Sequence, residues 1–563
     1  MQKIDVNPWW IIDRAPPGVS GGTLHISEAD SGPKTFNPIV ASESSSLNIT
    51  GKIFSTLLDY NFKSNKVVKG LVYRWDNAAD KKTWTFHLRK GLRWSDGIPI
   101  TADDILFTFR AIYDPKVDNP NRDFLWIRGK PIQCKKVDDL TVIFFLPEAY
   151  APFLYLMSTI PIVPAHKLAK ALPEGVFSSS YNVNVPPNDI VGSNAFRLKE
   201  YRPGQQLTLE RNPYFYAKDT KGERLPYLDR IIIQYVPDNN TQYLKFMAGE
   251  VDAFTEFPNL FYEDVKAGEK NGNYRLIDLG QMAGISFLMF NENPNPRFLN
   301  RTQYHWFSNR RFRLATAYGI NREKMIRLAC LGHGYPLTQD FHPQSRFYNP
   351  KLKPSPYDPE KARALLKEAG FSWKNRKLFD DLGNPVIFSL ITNTGNILRR
   401  SLAELIKADL EQLGMQVDFH LIDLNQMATQ LDSTFTWQAI VAGFGDGGTS
   451  IEPANSQGLW LSSGYFHYWY PRQKTPSAKW ETEMDRLAWE GLIATDIEKR
   501  KKIYARIEEI LYHEQVPVIL TIMPSQFDAF RNTIGNANPT PLGGFWMLSA
   551  DDMLMDQVYI KHR

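Results

Sequence analysis

The chain has 563 residues, 43% hydrophobic and 13% aromatic, which is too long for one ordinary core; two or three domains are expected. A balance of 66 basic against 61 acidic residues leaves a net charge of only +5, with no basic run, so nucleic acid is not an expected partner. The two cysteines, Cys134 and Cys330, lie far apart without CxxC or zinc spacing, which favours free thiols and offers no structural metal site.

In chain order, Met1-Gln-Lys-Ile-Asp-Val-Asn-Pro8 lacks the apolar run of a secretory signal, and such a signal is expected to have been removed. An irregular, Pro-rich arm ends at Gly21-Gly22, and a strand starts over residues 23–26. The most informative stretch follows: Leu88-Arg-Lys-Gly-Leu-Arg-Trp-Ser-Asp-Gly-Ile-Pro-Ile-Thr-Ala-Asp-Asp-Ile-Leu-Phe-Thr-Phe109. Just before it, Trp84, Phe86 and Leu88 alternate with Thr85 and His87 as a strand does. Ser95-Asp96-Gly97 is a turn signal. Thr101 is placed to cap a helix, with Asp103 and Asp104 in its first turn and Ile105, Phe109 and Ile112 on one face.

Residues 142–164 are rich in Phe, Leu and Ile, but Glu148 and Pro147, Pro152, Pro161 and Pro164 interrupt them. They read as a strand, a short helix and a turn, not as a membrane span. Residues 191–213 form a β-hairpin turning at Pro203-Gly204. Residues 231–236 are a strand, and residues 241–249 a helix ending at Gly249. In the second half, helix and strand alternate, the pattern of an α/β lobe. Asp358-Pro359 starts a helix with Ala362, Leu365, Leu366 and Ala369 inward and Gly370 as its stop. Leu402, Leu405, Ile406, Leu410 and Leu413 repeat that pattern up to Gly414. Val417, Phe419 and Leu421 alternate as a strand, and residues 496–513 form a last amphipathic helix before Pro517.

Taken together and in this order, these blocks resemble the peptide/nickel-type (family 5) extracytoplasmic solute-binding proteins of ABC importers. The resemblance runs from about Gly22 to Ile534. It is carried by the 88–109 stretch, Ala151-Pro-Phe-Leu154, Pro161-Ile-Val-Pro-Ala-His166, Tyr357-Asp-Pro-Glu-Lys-Ala-Arg-Ala-Leu-Leu-Lys-Glu-Ala-Gly370 and Arg500-Lys-Lys-Ile-Tyr504 with Val516-Pro-Val518. It implies an α/β, two-lobe periplasmic-binding-protein fold (type II, large cluster C type) with an extra subdomain in lobe I. Lobe I would take residues 1–49, 190–283 and 525–563, the subdomain 50–189 and lobe II 284–524. It further implies a monomeric carrier, periplasmic or on the outer face of the cytoplasmic membrane, that closes on oligopeptides or peptide-like solutes and serves an ABC permease. No catalytic residue, metal or cofactor is implied. An oligosaccharide carrier of the same family is the alternative, and a secreted hydrolase the reading from another class.

The chain departs from the family's usual Gly-Thr-Gly-Pro-Tyr at Gly192-Ser-Asn-Ala-Phe196. It departs from the usual Val-Arg-Gln-Ala near Arg311-Phe-Arg-Leu-Ala315. The ligand-loop pattern Gly-Trp-x-x-Asp-Tyr-x-Asp-Pro appears as Gly443-Phe-Gly-Asp-Gly-Gly-Thr-Ser-Ile-Glu-Pro453.

The resemblance makes Asp446 the partner of a ligand ammonium, because a cation enclosed in protein needs a fixed counter-charge. Phe444 stands where relatives carry Trp. Trp460 opens the densest aromatic run, 460–470, in a stretch that borders the cleft in relatives. The same logic adds Ala29 and Asp30, Thr255 and Glu256, and Phe287, with Glu256 as a second partner for a cation.

The loop also matches Gly-x-Gly-x-x-Gly at 443, 445 and 448. No Asp or Glu between Glu452 and Glu481 is available for a ribose, and no regular helix opens there. There is no HExxH and no Gly-x-Ser-x-Gly, and Ser31-Gly-Pro-Lys34 lacks the helix and the Lys-Thr-Gly that its motif requires.

Overall fold

The computed structural model describes residues 10–12, 15–62, 64–119, 122–445, 449–542 and 555–561. Two compact units emerge, Met1–Leu279 with Phe527–Arg563, and Gly280–Gln526. The chain passes from one to the other within two strands, Tyr274–Gln281 and Ile522–Arg531.

In the first unit the strands of the two larger sheets include β1 (Thr23–Glu28), β2 (Val72–Asn77), β3 (Thr83–Leu88), β4 (Gln133–Asp138), β5 (Thr141–Phe145), β6 (Phe196–Arg202), β7 (Gln206–Arg211), β8 (Arg230–Tyr235), β9 (Ala253–Phe254) and β10 (Tyr274–Gln281). The main sheet runs β6-β7-β8-β1-β9, then the strand Ile522–Arg531, then β10. β1 lies parallel to β8, with Leu24 opposite Ile231 and Ile26 opposite Ile233, all four buried. Parallel strands need such cover on their apolar face. The hairpin β6–β7 turns at Pro203-Gly204, as the sequence indicates, with Gly204 at φ +68°. Helix α1 (Ser44–Ile53) and helix α3 (Asn239–Ala248), the latter stopped by Gly249 at φ +81°, pack against this sheet.

A second sheet, β2-β3-β5-β4, carries the 88–109 stretch on its flank. Helix α2 (Ala102–Tyr113) starts in a capping box: Thr101 accepts from the Asp103 N–H, and Asp104 accepts the Thr101 N–H at 2.9 Å. Ile105, Phe109 and Ile112 are buried on one face as their spacing requires, and Phe109 meets Phe144 at 5.2 Å between ring centroids. Asp104 also accepts the Ala165 N–H at 2.9 Å, and His166 contacts Asp96 at 2.8 Å. Two of the blocks that carry the resemblance are therefore one structural corner.

In the second unit β11 (Ile285–Phe290), β12 (Ile387–Asn393), β13 (Gln416–Ile422), β14 (Ala439–Phe444) and β15 (Val518–Leu520) form a sheet in the order β13-β12-β14-β11-β15. β12 is parallel to β13 and β14; β11 is antiparallel to β14 and β15. Helix α4 (Pro359–Glu368) begins at Asp358, which accepts the Lys361 N–H at 2.9 Å. Helix α5 (Ile397–Gln412) buries Leu402, Ile406 and Leu410 against the sheet.

Helix α6 (Lys479–Ile493) precedes α7 (Ile497–Glu509), which ends earlier than the apolar spacing suggests. A π-type turn, Ile510–Gln515, follows it and closes at Val516 with φ +55°. The residue before a proline is disfavoured in the right-handed helical region, and Pro517 comes next. The strand β16 (Ile522–Arg531) then leads back to the first unit.

Neither Cys134 nor Cys330 takes part in a disulfide. Among the described residues no helix is long and apolar enough to cross a membrane, and no group of three or more His, Cys, Asp or Glu is arranged to hold a metal ion.

Candidate functional site

Ligands of open α/β sheets gather outside the carboxyl ends of the parallel strands, where loops and helix starts are free to present side chains. Each unit has such an end.

In the first unit, Ala29 and Asp30 leave β1, and Thr255 and Glu256 leave β9, which is parallel to β1 through Ala253 and Ile26. All four expected positions of this unit are therefore brought to one sheet end. Glu256 turns the chain at φ +49° and donates its N–H to Asp528 on β16 at 2.7 Å. Asp528 is 0% exposed, and its Oδ2 has no hydrogen-bond partner. Glu28, at the end of β1, is half-buried, with its Oε1 also unpartnered. Lys52 comes up from α1, fully buried, and donates to the Asn48 carbonyl at 3.0 Å. Burial, then the charge of Asp30, pushes the Glu28 carboxyl up to about 8 despite Lys52. Burial likewise raises Asp528 to about 7, against the Glu256 N–H that it accepts and with a smaller push from the Glu256 charge, and burial lowers Lys52 to about 7.

In the second unit, Phe287 and Phe444 meet across the β11–β14 ladder, with ring centroids 5.2 Å apart. Phe287 is 1% exposed and belongs to the core; Phe444 is half-buried and continues outward to Phe466 at 5.5 Å. Gly443 owes its identity to the sheet, since a Cβ there would sit 2.6 Å from the Ile285 carbonyl oxygen. Asp446 lies outside the described residues, which resume at Thr449.

Trp460 is 1% exposed and packs among Phe341 and Tyr504, 6.3 and 5.4 Å away between centroids. The rings of the 460–470 run that face outward are Tyr465 and Phe466. Tyr468 is buried and donates to Asp432 at 2.9 Å.

A cation not singled out in the sequence reaches the end of β14 at Gly443. Arg399, in the first turn of α5, donates to Asn393 Oδ1 at 3.2 Å and to the Gly443 carbonyl at 3.1 Å. Both acceptors are neutral oxygens, and burial lowers the guanidinium pKa, so its charge is suited to an anionic partner. A signal for it does exist: Asn396 caps the helix that directly follows a parallel strand, which puts Arg399 at the strand's carboxyl end.

The segment from Thr449 to Ser456 is pinned by buried polar contacts. Glu452 pairs with Arg500, whose Nη1 lies 3.1 Å from Oε2; the two side chains are 2% and 4% exposed. Arg500 also lies over the Tyr504 and Phe347 rings at 5.3 and 5.4 Å. Ser456 donates to Asp340 at 2.6 Å, and the Asp340 N–H donates to Glu508 at 2.7 Å.

Glu508 is fully buried, and burial together with Asp340 holds its carboxyl well above the usual range. A raised acid contributes stability that is present below its unfolded value of about 4.5 and lost as pH rises towards its folded value. Glu508→Gln removes that proton equilibrium. The urea midpoint of the wild type should therefore fall more steeply than the variant's between pH 5 and pH 8; parallel profiles would rule the assignment out.

The strand end of the first unit thus offers carboxyl groups, and that of the second offers an arginine. The sequence profile described as "Bacterial extracellular solute-binding proteins, family 5 Middle" matches residues 66–467, so the chain belongs to this family, the one its motifs point to. It is 31% identical over 496 residues to a probable ABC transporter-binding protein of Deinococcus radiodurans, covering 84% of this chain and 82% of that one. It is 24% identical over 531 residues to the dipeptide-binding protein of Escherichia coli, covering 92% of each. Among solved structures, the oligopeptide-binding protein AppA of Bacillus subtilis, in complex with a nonapeptide, superposes with a TM-score of 0.74 at 21% identity, over 97% of this chain and 100% of that one. The fold is thus the two-lobe solute-binding fold with α/β lobes.

Proposed function

We propose that the protein captures oligopeptides or peptide-like solutes outside the cytoplasmic membrane and delivers them to an ABC permease, binding without turnover. The observation that carries this reading is the near full-length likeness to a dipeptide-binding protein, 92% of each chain. Capture would proceed by ligand-driven closure of the two lobes. A ligand that shifts open against closed from 1:99 to 99:1 must prefer the closed state by about 5.5 kcal/mol. A buried ion pair, backbone hydrogen bonds at about 1 kcal/mol each and aromatic burial suffice for that.

In this reading Asp446 pairs with the ligand's α-ammonium, Arg399 takes a carboxylate or carbonyl of the ligand, and Phe444 with Phe466 lines its side chains. Ala29, Asp30, Thr255 and Glu256 border the ligand from the first unit.

Asp446→Asn should weaken a free-amine peptide at least tenfold more than its N-acetylated form; equal losses would sink the ammonium role. Mass spectrometry of ligand co-purified under non-denaturing conditions should find peptides. Finding only sugars would replace the peptide assignment with the oligosaccharide one.

A further inference from the structure

The first unit ends its sheet in four carboxyl groups, on Glu28, Asp30, Glu256 and Asp528, brought together from three strands. Around them stand one cation, Lys52, and two phenols, Tyr201 and Tyr235, whose rings are 6.4 Å apart. Tyr201 is engaged, donating to the Pro33 carbonyl at 3.2 Å. Asp30 accepts the Gly32 N–H at 2.7 Å. This leaves an excess of acid over base at one place.

Acid excess by itself is a common surface feature. What sets this place apart is Asp528. Its side chain is 0% exposed, one oxygen is committed to the Glu256 N–H, and Oδ2 has no partner. A buried polar atom without a partner costs about 1–3 kcal/mol. Protonation does not relieve it, because a carboxylic O–H in the same position would need an acceptor of its own. Glu28, on β1 with β9 between it and β16, is half-buried and also has one oxygen, Oε1, without a partner, while its carboxyl contacts Asp30. Buried groups of this kind are rare in native proteins and call for a missing donor.

We propose that Glu28, Asp30, Glu256 and Asp528 form a cation subsite that receives an ammonium or guanidinium group of the transported solute, such as a Lys or Arg side chain. This deepens the carrier reading above and rests on it. Such a group brings three to five N–H donors and a positive charge to a cluster in which Asp528 Oδ2 and Glu28 Oε1 have no donor and the carboxyl groups outnumber Lys52. On binding, a protonated carboxyl gives its proton to solvent and becomes the carboxylate partner of the incoming cation, so charge and protons balance. With Glu28 near 8 and Asp528 near 7 in the free protein, uptake of the cation strengthens as pH rises from 6 to 8. Asp30, Glu256, Lys52, Tyr201 and Tyr235 are the other titratable groups facing this cluster.

The test is equilibrium dialysis of the full chain against paired peptides of three to five residues, read by mass spectrometry. One member of each pair carries Arg or Lys; the other carries citrulline or acetyl-lysine at the same position, with the α-amine common to both. Spermidine and agmatine form a separate arm.

The wild type should retain the cationic member at least tenfold better at pH 8, with a smaller ratio at pH 6. Asp528→Asn and, on the exposed side, Glu256→Gln should each cut that ratio several-fold, with folding of each variant checked by its thermal midpoint.

Equal retention of both members, or a ratio untouched by either substitution, overturns the subsite and leaves the carrier reading standing. Retention of the amines without any peptide upholds the subsite and removes the peptide assignment. Retention of neither removes both.

Discussion

Arg500→Ala is expected to lower the free energy of unfolding by about 3–5 kcal/mol, the usual cost of leaving one member of a buried ion pair without its partner. Glu452 would remain as a carboxylate at 2% exposure, without the guanidinium charge and the guanidinium N–H donors that now satisfy it. The loss should be local in origin but global in effect, because Glu452 also accepts the Ala454 N–H and so holds the turn that starts the helix at Pro453. Replacing both partners at once, as Glu452→Gln with Arg500→Met, should cost less than the single substitution, since the desolvation penalty then disappears with the charges. Urea unfolding at pH 7, analysed for midpoint and slope, measures both. A loss below about 1 kcal/mol for Arg500→Ala, or a double variant weaker than the single one, would contradict this account of the pair.

Trp460→Ala should cost about 3–5 kcal/mol as well, for a different reason: it deletes a large apolar side chain from a closed core and leaves a cavity between Phe341 and Tyr504. Trp460→Phe should recover more than half of this. Phe466→Ala provides the contrast. That ring is 41% exposed and lies against Phe444, so its removal should move stability by less than about 1 kcal/mol while weakening retention of the co-purified ligand several-fold. Thermal midpoints and ligand retention, measured on the same preparations, separate the two. If Trp460→Ala left the midpoint unchanged while abolishing retention, the buried ring would have to be given a ligand-contacting role.

Much of the fold was legible because its signals are local. A cap and its helix lie within four residues, as at Thr101 with Asp104 and at Asp358 with Lys361. A turn declares itself in a dipeptide, as at Pro203-Gly204. The family, too, was readable from short blocks in a fixed order. The candidate site was legible only in part. Ala29, Asp30, Thr255 and Glu256 were named from the sequence, and the structure gathers them at one sheet end. Phe444 was named as well. Arg399 and Asp528 were not: each matters only because of neighbours distant in sequence, Gly443 for one and Glu256 for the other.

What the sequence by itself determined is the set of elements, their caps and turns, the absence of a basic or cysteine framework, and membership of a solute-binding family. These follow from periodicity, composition and short-range hydrogen bonding. The tertiary structure alone decided which residue of the run from Trp460 to Tyr470 is core and which is surface. It also paired Glu452 with Arg500 across 48 positions and set Asp528 beside Glu256 across 272. Such choices depend on burial and on the partners a buried charge finds, and those are properties of the packed chain that no local window contains.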